Sequence, residues 1–182
     1  WEAKNEQKAE AAVQIKLCCQ LPPMNKMDKT FCSLTECEFL SLSTNSIDRM
    51  GSLAGMTKLK TLSIGRNNLK KIEKLDDVAS TLEQLWMSYN SVSSLDGLSC
   101  LKNLQTIYMS NNAIKSFDEL DHLAGLENLK EVLFYGNPMY EEVADQDVAR
   151  LHILSRLPNL TKIDGVLVKP QEREEAKTIL VN

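Results

Sequence analysis

The sequence predicts an α/β solenoid in which short repeats stack their strands into one parallel sheet, with helical caps at both ends. Three observations carry this reading. Five segments share one apolar pattern, each holds an asparagine at the same place, and each asparagine is followed by further apolar residues at helical spacing. A composition of 43% hydrophobic residues supplies the core that such a stack requires.

The five segments read L-x-x-L-x-L-x-x-N-x-L: CEFLSLSTNSI from Cys37 to Ile47, LKTLSIGRNNL from Leu59 to Leu69, LEQLWMSYNSV from Leu82 to Val92, LQTIYMSNNAI from Leu104 to Ile114, and LKEVLFYGNPM from Leu129 to Met139. Their asparagines, Asn45, Asn67, Asn90, Asn112 and Asn137, lie 22, 23, 22 and 25 residues apart. This is the leucine-rich repeat in its short, 22-residue-type form. The L-x-L alternation makes a short strand with one face toward a core. An amide side chain both donates and accepts, so each Asn can satisfy backbone groups where the chain turns out of its strand, and five in register form an internal ladder. Ile72, Leu75 and Val78, and later Phe117, Leu120 and Leu123, are spaced for a short helix or helical turns on the opposite, convex side.

A stack of this kind exposes an apolar edge at each end and needs covers. Residues from Glu2 to Ala12 are good helix formers, and VQIKL after them supplies an irregular first strand before Pro22 and Pro23 stop it. At the other end, Glu141 to Leu157 has acids early, arginines late and apolar residues at Val148, Leu151 and Leu154, as an amphipathic helix should. LPNLTKIDG, Leu157 to Gly165, is a degenerate last strand, and Pro170 opens a charged terminal segment that projects or folds back. The expectation is a single domain over residues 1–182, with an N-terminal cap at 1–36, five repeats at 37–139 and a C-terminal cap and terminal helix at 140–182.

Several function classes fall away on composition. Lys plus Arg is 21 against 25 Asp plus Glu, a net charge of −4, so no overall positive field favours nucleic acid. No apolar run approaches the roughly 20 residues of a membrane span, and no charged leader precedes an apolar segment with a cleavage site; the expectation is a soluble, cytoplasmic protein. Cys18, Cys19, Cys32, Cys37 and Cys100 lack disulfide or zinc spacing, and Cys18, Cys32, Cys37 and Cys100 read as small buried thiols. His122 and His152 have no ligand partners at metal spacing, with His152 expected to pack on the cap or face solvent. GRNN and YGNP are turn signatures without the spacing of a phosphate loop. No catalytic residue, metal or cofactor is expected, and the protein reads as a non-enzyme.

Function is therefore sought on the outward face of the sheet. Position five of the motif runs Ser41, Ser63, Trp86, Tyr108, Leu133, and position three runs Phe39, Thr61, Gln84, Thr106, Glu131. Arg66, Tyr89, Asn111 and Tyr135 stand at the strand exits. Large aromatic and aliphatic side chains beside an arginine are the residue types concentrated at interface hot spots. Phe39, Arg66, Trp86, Tyr89, Tyr108, Asn111, Leu133 and Tyr135 are the candidate partner-binding set; ordinary cross-strand packing is the competing reading. Arg66, Lys70, Lys71 and Lys74 cluster around one turn with Glu73, Asp76 and Asp77 among them, and read as a mixed solvated surface ahead of a contact for an acidic partner.

The strings LSLSTNSI, LSIGRNNLKKIEKLDDVASTLEQLWMSYNSV, LQTIYMSNNAI and LFYGNPMY are more distinctive than the bare motif. They resemble the leucine-rich-repeat light chains of axonemal outer-arm dynein, and the resemblance runs from PPMNKMD at Pro22 to the EREEA segment. At a lower level the chain is similar to the 22-residue-repeat regulatory subunits of protein phosphatase. The dynein resemblance implies a noncatalytic subunit in the cytoskeleton of the ciliary axoneme. It would sit on a heavy chain near the microtubule-binding stalk and modulate motility, with the heavy chain and tubulin as partners. It also implies that Trp86, Tyr89, Tyr108, Leu133 and Tyr135 make the heavy-chain contact, and that the terminal helix with Arg173 faces other components.

Overall fold

Eight short strands form one sheet in chain order: β1 (Gln14–Lys16), β2 (Phe39–Ser41), β3 (Thr61–Ser63), β4 (Gln84–Trp86), β5 (Thr106–Tyr108), β6 (Glu131–Leu133), β7 (Lys162–Ile163) and β8 (Val166–Leu167). The computed structural model describes residues 1–179; the end of the predicted terminal segment, 180–182, lies outside the described residues. Strands β1 to β7 pair in parallel, and β8 returns antiparallel to β7. The register aligns Leu40, Leu62, Leu85, Ile107, Val132 and Ile163 in one column, every one of them buried. The other motif positions, Cys37, Leu59, Leu82, Leu104 and Leu129 with Leu42, Ile64, Met87, Met109 and Phe134, are buried beside them. The repeat register read from the sequence is the one observed.

The asparagine ladder is continuous. In Asn67, Oδ1 accepts the Ile47 N–H at 2.9 Å while Nδ2 donates to the carbonyls of Leu42 (3.1 Å) and Ile64 (3.0 Å). Asn112 repeats this with the Val92 N–H, Met87 O and Met109 O. Asn45, Asn90 and Asn137 do the same one repeat before or after. Each carbonyl between two rungs takes an amide from its own repeat and one from the next, so neighbouring repeats share acceptors. At the last rung Asp164 takes over: its Oδ1 accepts the N–H groups of Phe134 (2.7 Å) and Tyr135 (3.1 Å). Its other oxygen is bonded by the Tyr140 hydroxyl, whose pKa burial first, and the Asp164 charge second, drives upward.

The convex side is built from tight 3₁₀ turns at Lys29–Ser33, Asp76–Val78 and Phe117–Leu123 and from irregular turns elsewhere, in place of full helices. Three residues per turn stack Leu75 over Val78 and Leu120 over Leu123, and all four are buried. A 22-residue repeat leaves too little chain for an α-helix after the strand and its exit turn are made.

The N-terminal cap differs from the continuous helix expected over Glu2–Ala12. α1 spans only Glu2–Asn5, and a separate 3₁₀ turn follows at Ala9–Ala11. Glu6 takes a left-handed conformation with φ 51° and ends α1, and the Glu2 carboxylate turns back to accept the Ala9 N–H at 2.8 Å. A helix this short is not self-supporting, and the cap buries Ala12 and Ile15 instead. At the other end α2 spans Gln146–Arg156, five residues later than its earliest expected start; Pro138–Glu142 forms a 3₁₀ turn and the Asp145 side chain caps the Val148 N–H at 2.9 Å. Asp164 and Gly165, at φ 50° and 80°, make the tight turn that joins β7 to β8.

α3 (Pro170–Ile179) folds back on α2 and buries Ala176. Arg150, itself buried, fastens it: Nε donates to Glu172 Oε1 at 2.7 Å and Nη1 to the Ile163 carbonyl at 2.6 Å. That bond holds the Glu172 carboxyl below its usual range. Arg173 donates to the carbonyls of Pro158 (2.5 Å) and Leu160 (2.6 Å), so the guanidinium that the resemblance turned toward other components is used inside the cap.

Candidate functional site

The outward face places Ser41, Ser63, Trp86, Tyr108 and Leu133 side by side, with Phe39, Thr61, Gln84, Thr106 and Glu131 in the next row. Trp86 and Tyr108 stack with ring centroids 5.9 Å apart and planes 19° from parallel. Phe39 meets the same indole edge-on, also at 5.9 Å and 73°. Phe39 stands two strands from Trp86, about 9.6 Å at the usual strand spacing. The indole therefore leans across β3, which offers only Thr61 and Ser63 there, and Ser63 is 8% exposed beneath it. The small Thr61 and Ser63 on β3 leave the room in which the Phe39 and Trp86 rings meet across that strand.

Polar groups frame this plate. Lys16 Nζ lies 5.8 Å from the Phe39 centroid. The Tyr108 hydroxyl donates to Glu131 Oε1 at 2.9 Å, and Lys162 Nζ reaches the same oxygen at 3.0 Å. Burial, and then the bond to Glu131, pushes the Tyr108 phenol above its ordinary pKa, so it stays a neutral donor. Trp86 Nε1 is buried with no hydrogen-bond partner. Phe39, Trp86, Tyr108 and Leu133 are each half-buried. The structure joins the two readings of these residues, since the rings pack across strands and still present a face to solvent.

The strand exits form a second row. Thr44, Arg66, Tyr89 and Asn111 all adopt left-handed φ, between 53° and 60°, and Gly136 follows at 81°. Backbone bonds along the stack, such as Arg66 N–H to Ser88 O and Tyr89 N–H to Ser110 O, hold each turn in place. Arg66 stacks its guanidinium 4.2 Å from the Tyr89 centroid. Tyr89 and Tyr135 are 46% and 52% exposed, the most open aromatic rings of the predicted set, whereas Asn111 is half-buried. Tyr135 packs edge-on against Tyr140 rather than against the Trp86 stack, so the set divides into a central plate and a rim.

Lys16, Glu131 and Lys162 were not among the sequence candidates. The signal for the pair was present, because Lys162 holds position three of the degenerate last strand, directly opposite Glu131 in register. Among the cysteines, only Cys37 is buried, its thiol pushed up to about 11 chiefly by burial. Cys18, Cys32 and Cys100 are half-buried, a correction to the expectation of full burial. They sit on caps and turns, where packing is thinner than at the strand position of Cys37. His152 stacks on Phe117 with centroids 5.0 Å apart, the cap-packing role expected of it, and burial lowers its pKa. Among the described residues no three His, Cys, Asp or Glu side chains gather to hold a metal, and no helix is long and apolar enough to cross a membrane.

An apolar plate with a charged rim on a stiff sheet is suited to burying itself against another protein. A family profile described as leucine-rich repeats (2 copies) matches residues 80–122, the stretch that contains Trp86 and Tyr108. Dynein axonemal light chain 1 of Chlamydomonas reinhardtii is 50% identical over 179 residues, covering 97% of this chain and 90% of the relative. The chain belongs to the axonemal dynein light chain 1 family. The Danio rerio protein of that name is 51% identical over 174 residues, with 96% and 91% covered, and the Homo sapiens one 47% over 175 residues, with 96% and 92% covered. Membership makes the chain a dynein light chain and places it in the ciliary axoneme, part of the cytoskeleton.

Solved structures agree on the fold. The chain is similar to one in the Drosophila melanogaster SNF/U2A' complex (TM-score 0.64, 20% identity, 75% of this chain and 78% of that one). It is likewise similar to internalin C2 of Listeria monocytogenes (TM-score 0.60, 28% identity, 76% and 55%).

Proposed function

We propose that the protein is a noncatalytic light chain that docks its sheet face on an outer-arm dynein heavy chain, near the microtubule-binding stalk, and modulates the motor there. The observation that carries this reading is the Phe39–Trp86–Tyr108 plate, its rings packed edge-on and then stacked at 5.9 Å intervals, open to solvent on one side and bounded by Lys16 and the Glu131–Lys162 pair. Rings already held by one another lose little side-chain freedom on binding. Leu133 extends the plate, and Arg66, Tyr89, Asn111 and Tyr135 form its rim. In this reading the terminal helix acts as a cap, since Arg173 is used within the chain. No observation favours a phosphatase subunit over this assignment.

The test is capture of recombinant stalk-tip domains of candidate heavy chains by the natural protein and by a Trp86→Ala, Tyr108→Ala variant. The natural protein should retain one heavy chain, and the variant should lose it while still melting cooperatively. Equal capture by both proteins would remove the sheet face from the interface. Tubulin in place of the heavy-chain domains tests direct contact with the microtubule.

A further inference from the structure

The two ends of the sheet are finished differently. At the C-terminal end α2 and α3 pack together and β8 runs against the other strands. At the N-terminal end β1 stops the sheet, with no strand beyond it among the described residues. The Val13 carbonyl accepts the N–H groups of Glu38 (2.8 Å) and Phe39 (3.1 Å), and the Leu17 N–H donates to Ser41 O at 2.8 Å. Residues of a parallel strand turn their backbone groups alternately to one side and the other, so Val13, Ile15 and Leu17 serve β2. The N–H and C=O groups of Gln14 and Lys16 then face away from the sheet, and both residues are exposed.

Two cavities flank this edge on opposite faces of β1. One, of about 850 Å³, is lined by Ile15, Leu17, Met24, Phe31 and Leu34, of which Ile15, Phe31 and Leu34 are buried. The charged groups that also line it, such as Glu10 and Lys26, belong to exposed residues. The other, of about 380 Å³, is lined by Lys4, Asn5, Gln14, Lys16 and Gln20. Ile15 borders only the first, and Gln14 and Lys16 border only the second. Trp1 lines both, so the N-terminal segment makes the far wall of one trough that runs beside the open edge. A strand sends alternate side chains to opposite faces, and one laid along this edge would turn one set into the apolar cavity and the other into the polar cleft.

We propose that this trough takes up an extended segment of a partner protein, of alternating apolar and polar residues, as an added strand beside β1. The backbone of the segment pairs with the free groups of Gln14 and Lys16. Its apolar residues face Ile15, Phe31 and Leu34, and its polar residues face Lys4, Asn5 and Gln20. A second copy of the chain is the poorer occupant, because α1 borders the same edge through Lys4 and Asn5 and stands in the way of a whole incoming sheet. Trp86 and Tyr108 lie three and four strands from β1, so occupancy of the trough and docking on the aromatic plate are separable.

The trough is where a preceding rung would lie, so the probe is a synthetic peptide copying one rung of this chain, Lys60 to Arg66 (KTLSIGR), in which Leu62 and Ile64 alternate with Thr61 and Ser63. Titrated into the full, isotope-labelled chain, it should shift the amide resonances of Val13 to Leu17 to saturation and slow hydrogen exchange at Gln14 and Lys16, leaving Ile15 as it was. Serine in place of both apolar residues of the peptide should abolish binding. Methyl groups on one alternate set of peptide amides should do the same, and on the other set leave binding unchanged. In the protein, Gln14→Pro removes an outward N–H and spares the bonds to β2, so it should weaken binding by about tenfold with the melting temperature nearly kept. Gln14→Ala should bind as the natural protein does, as should Trp86→Ala, Tyr108→Ala. Should Gln14→Pro fail to fold, the two methylated peptides decide. Any one of these results would overturn the proposal: no saturable shift at β1, equal tolerance of both methylated peptides, undiminished binding by folded Gln14→Pro, loss in the plate variant, or a dimer of the chain in sedimentation that the peptide dissociates. None of them bears on heavy-chain capture through the plate, and failure of that capture leaves the trough untouched.

Discussion

Removing the amide of Asn112 probes the ladder at a buried rung that has a further asparagine on either side. In Asn112→Ala the Val92 N–H loses its acceptor at 3.0 Å, whereas Met87 O keeps the Asn90 amide and Met109 O keeps the Asn137 amide. The cost is thus two lost donations to carbonyls that retain another partner, and one donor stranded in the interior. At about 1 kcal/mol for each lost bond and about 1–3 kcal/mol for the orphaned group, the sum is about 3–5 kcal/mol. For a chain of this length that lowers the melting temperature by roughly 6–20 °C. Asn68→Ala is the matched control: Asn68 is exposed, and its change should stay within about 0.5 kcal/mol. Asn112→Asp keeps the acceptor but turns an oxygen toward two carbonyls, so it should be worse than alanine at neutral pH and recover partly in acid, where the protonated carboxyl donates. Urea denaturation of the four proteins reads all of this. Equal midpoints for Asn112→Ala and Asn68→Ala would refute the shared-acceptor account of how neighbouring repeats are joined.

Three further outcomes follow from the same structure. Trp86→Phe removes a buried N–H that has no partner and keeps an aromatic ring between Phe39 and Tyr108, so calorimetry should find stability unchanged or raised by up to about 1 kcal/mol; a clear loss would mean that the indole nitrogen has an acceptor. Gly55→Ala drives a Cβ into the Cys32 carbonyl oxygen at a φ of +99°, and chemical denaturation should show a loss of about 2 kcal/mol or more; a neutral result would show that this turn relaxes freely. The Arg150 hydrogen bond lowers the Glu172 pKa from 4.5, so the unfolded chain takes up that proton more readily than the folded one. The advantage of the natural protein over Glu172→Gln should be whole above about pH 4.5 and fade as the pH falls through the lowered value. Melting temperatures that differ as much at about pH 2 as at neutral pH would contradict this assignment.

The repeats were readable because their determinants are local and recur: the Leu85, Ile107 and Val132 column, the five asparagines and the outward Trp86 and Tyr108 all follow from one period. What the period does not encode was missed. α1 stops at Asn5 because the Glu2 carboxylate caps the Ala9 N–H and Glu6 turns left-handed, a local competition that helix propensity does not weigh. The lean of Trp86 over β3 depends on the small Thr61 and Ser63 in a neighbouring repeat, a relation between repeats rather than within one. The Glu131–Lys162 rim pair needed the register of a strand only two residues long. The docking of α3 depends on Arg150, a charged residue on α2 whose burial no hydrophobic pattern would suggest. Asp164 and Gly165 carried a plain turn signal, yet the hairpin they make closes a parallel stack, where a reversed strand is not anticipated.

That reversed final strand has a bearing on self-assembly. A parallel array of identical rungs is an open template, and a second copy could in principle continue it by laying its own β1 beside the outermost rung. Here the outermost rung runs the opposite way, and Val166 and Leu167 sit 54% and 69% exposed on a strand of only two residues. An incoming chain would find its backbone groups out of phase with the repeat and almost no length along which to pair. The terminus works as a polarity stop, and it disfavours head-to-tail polymers without a bulky cover.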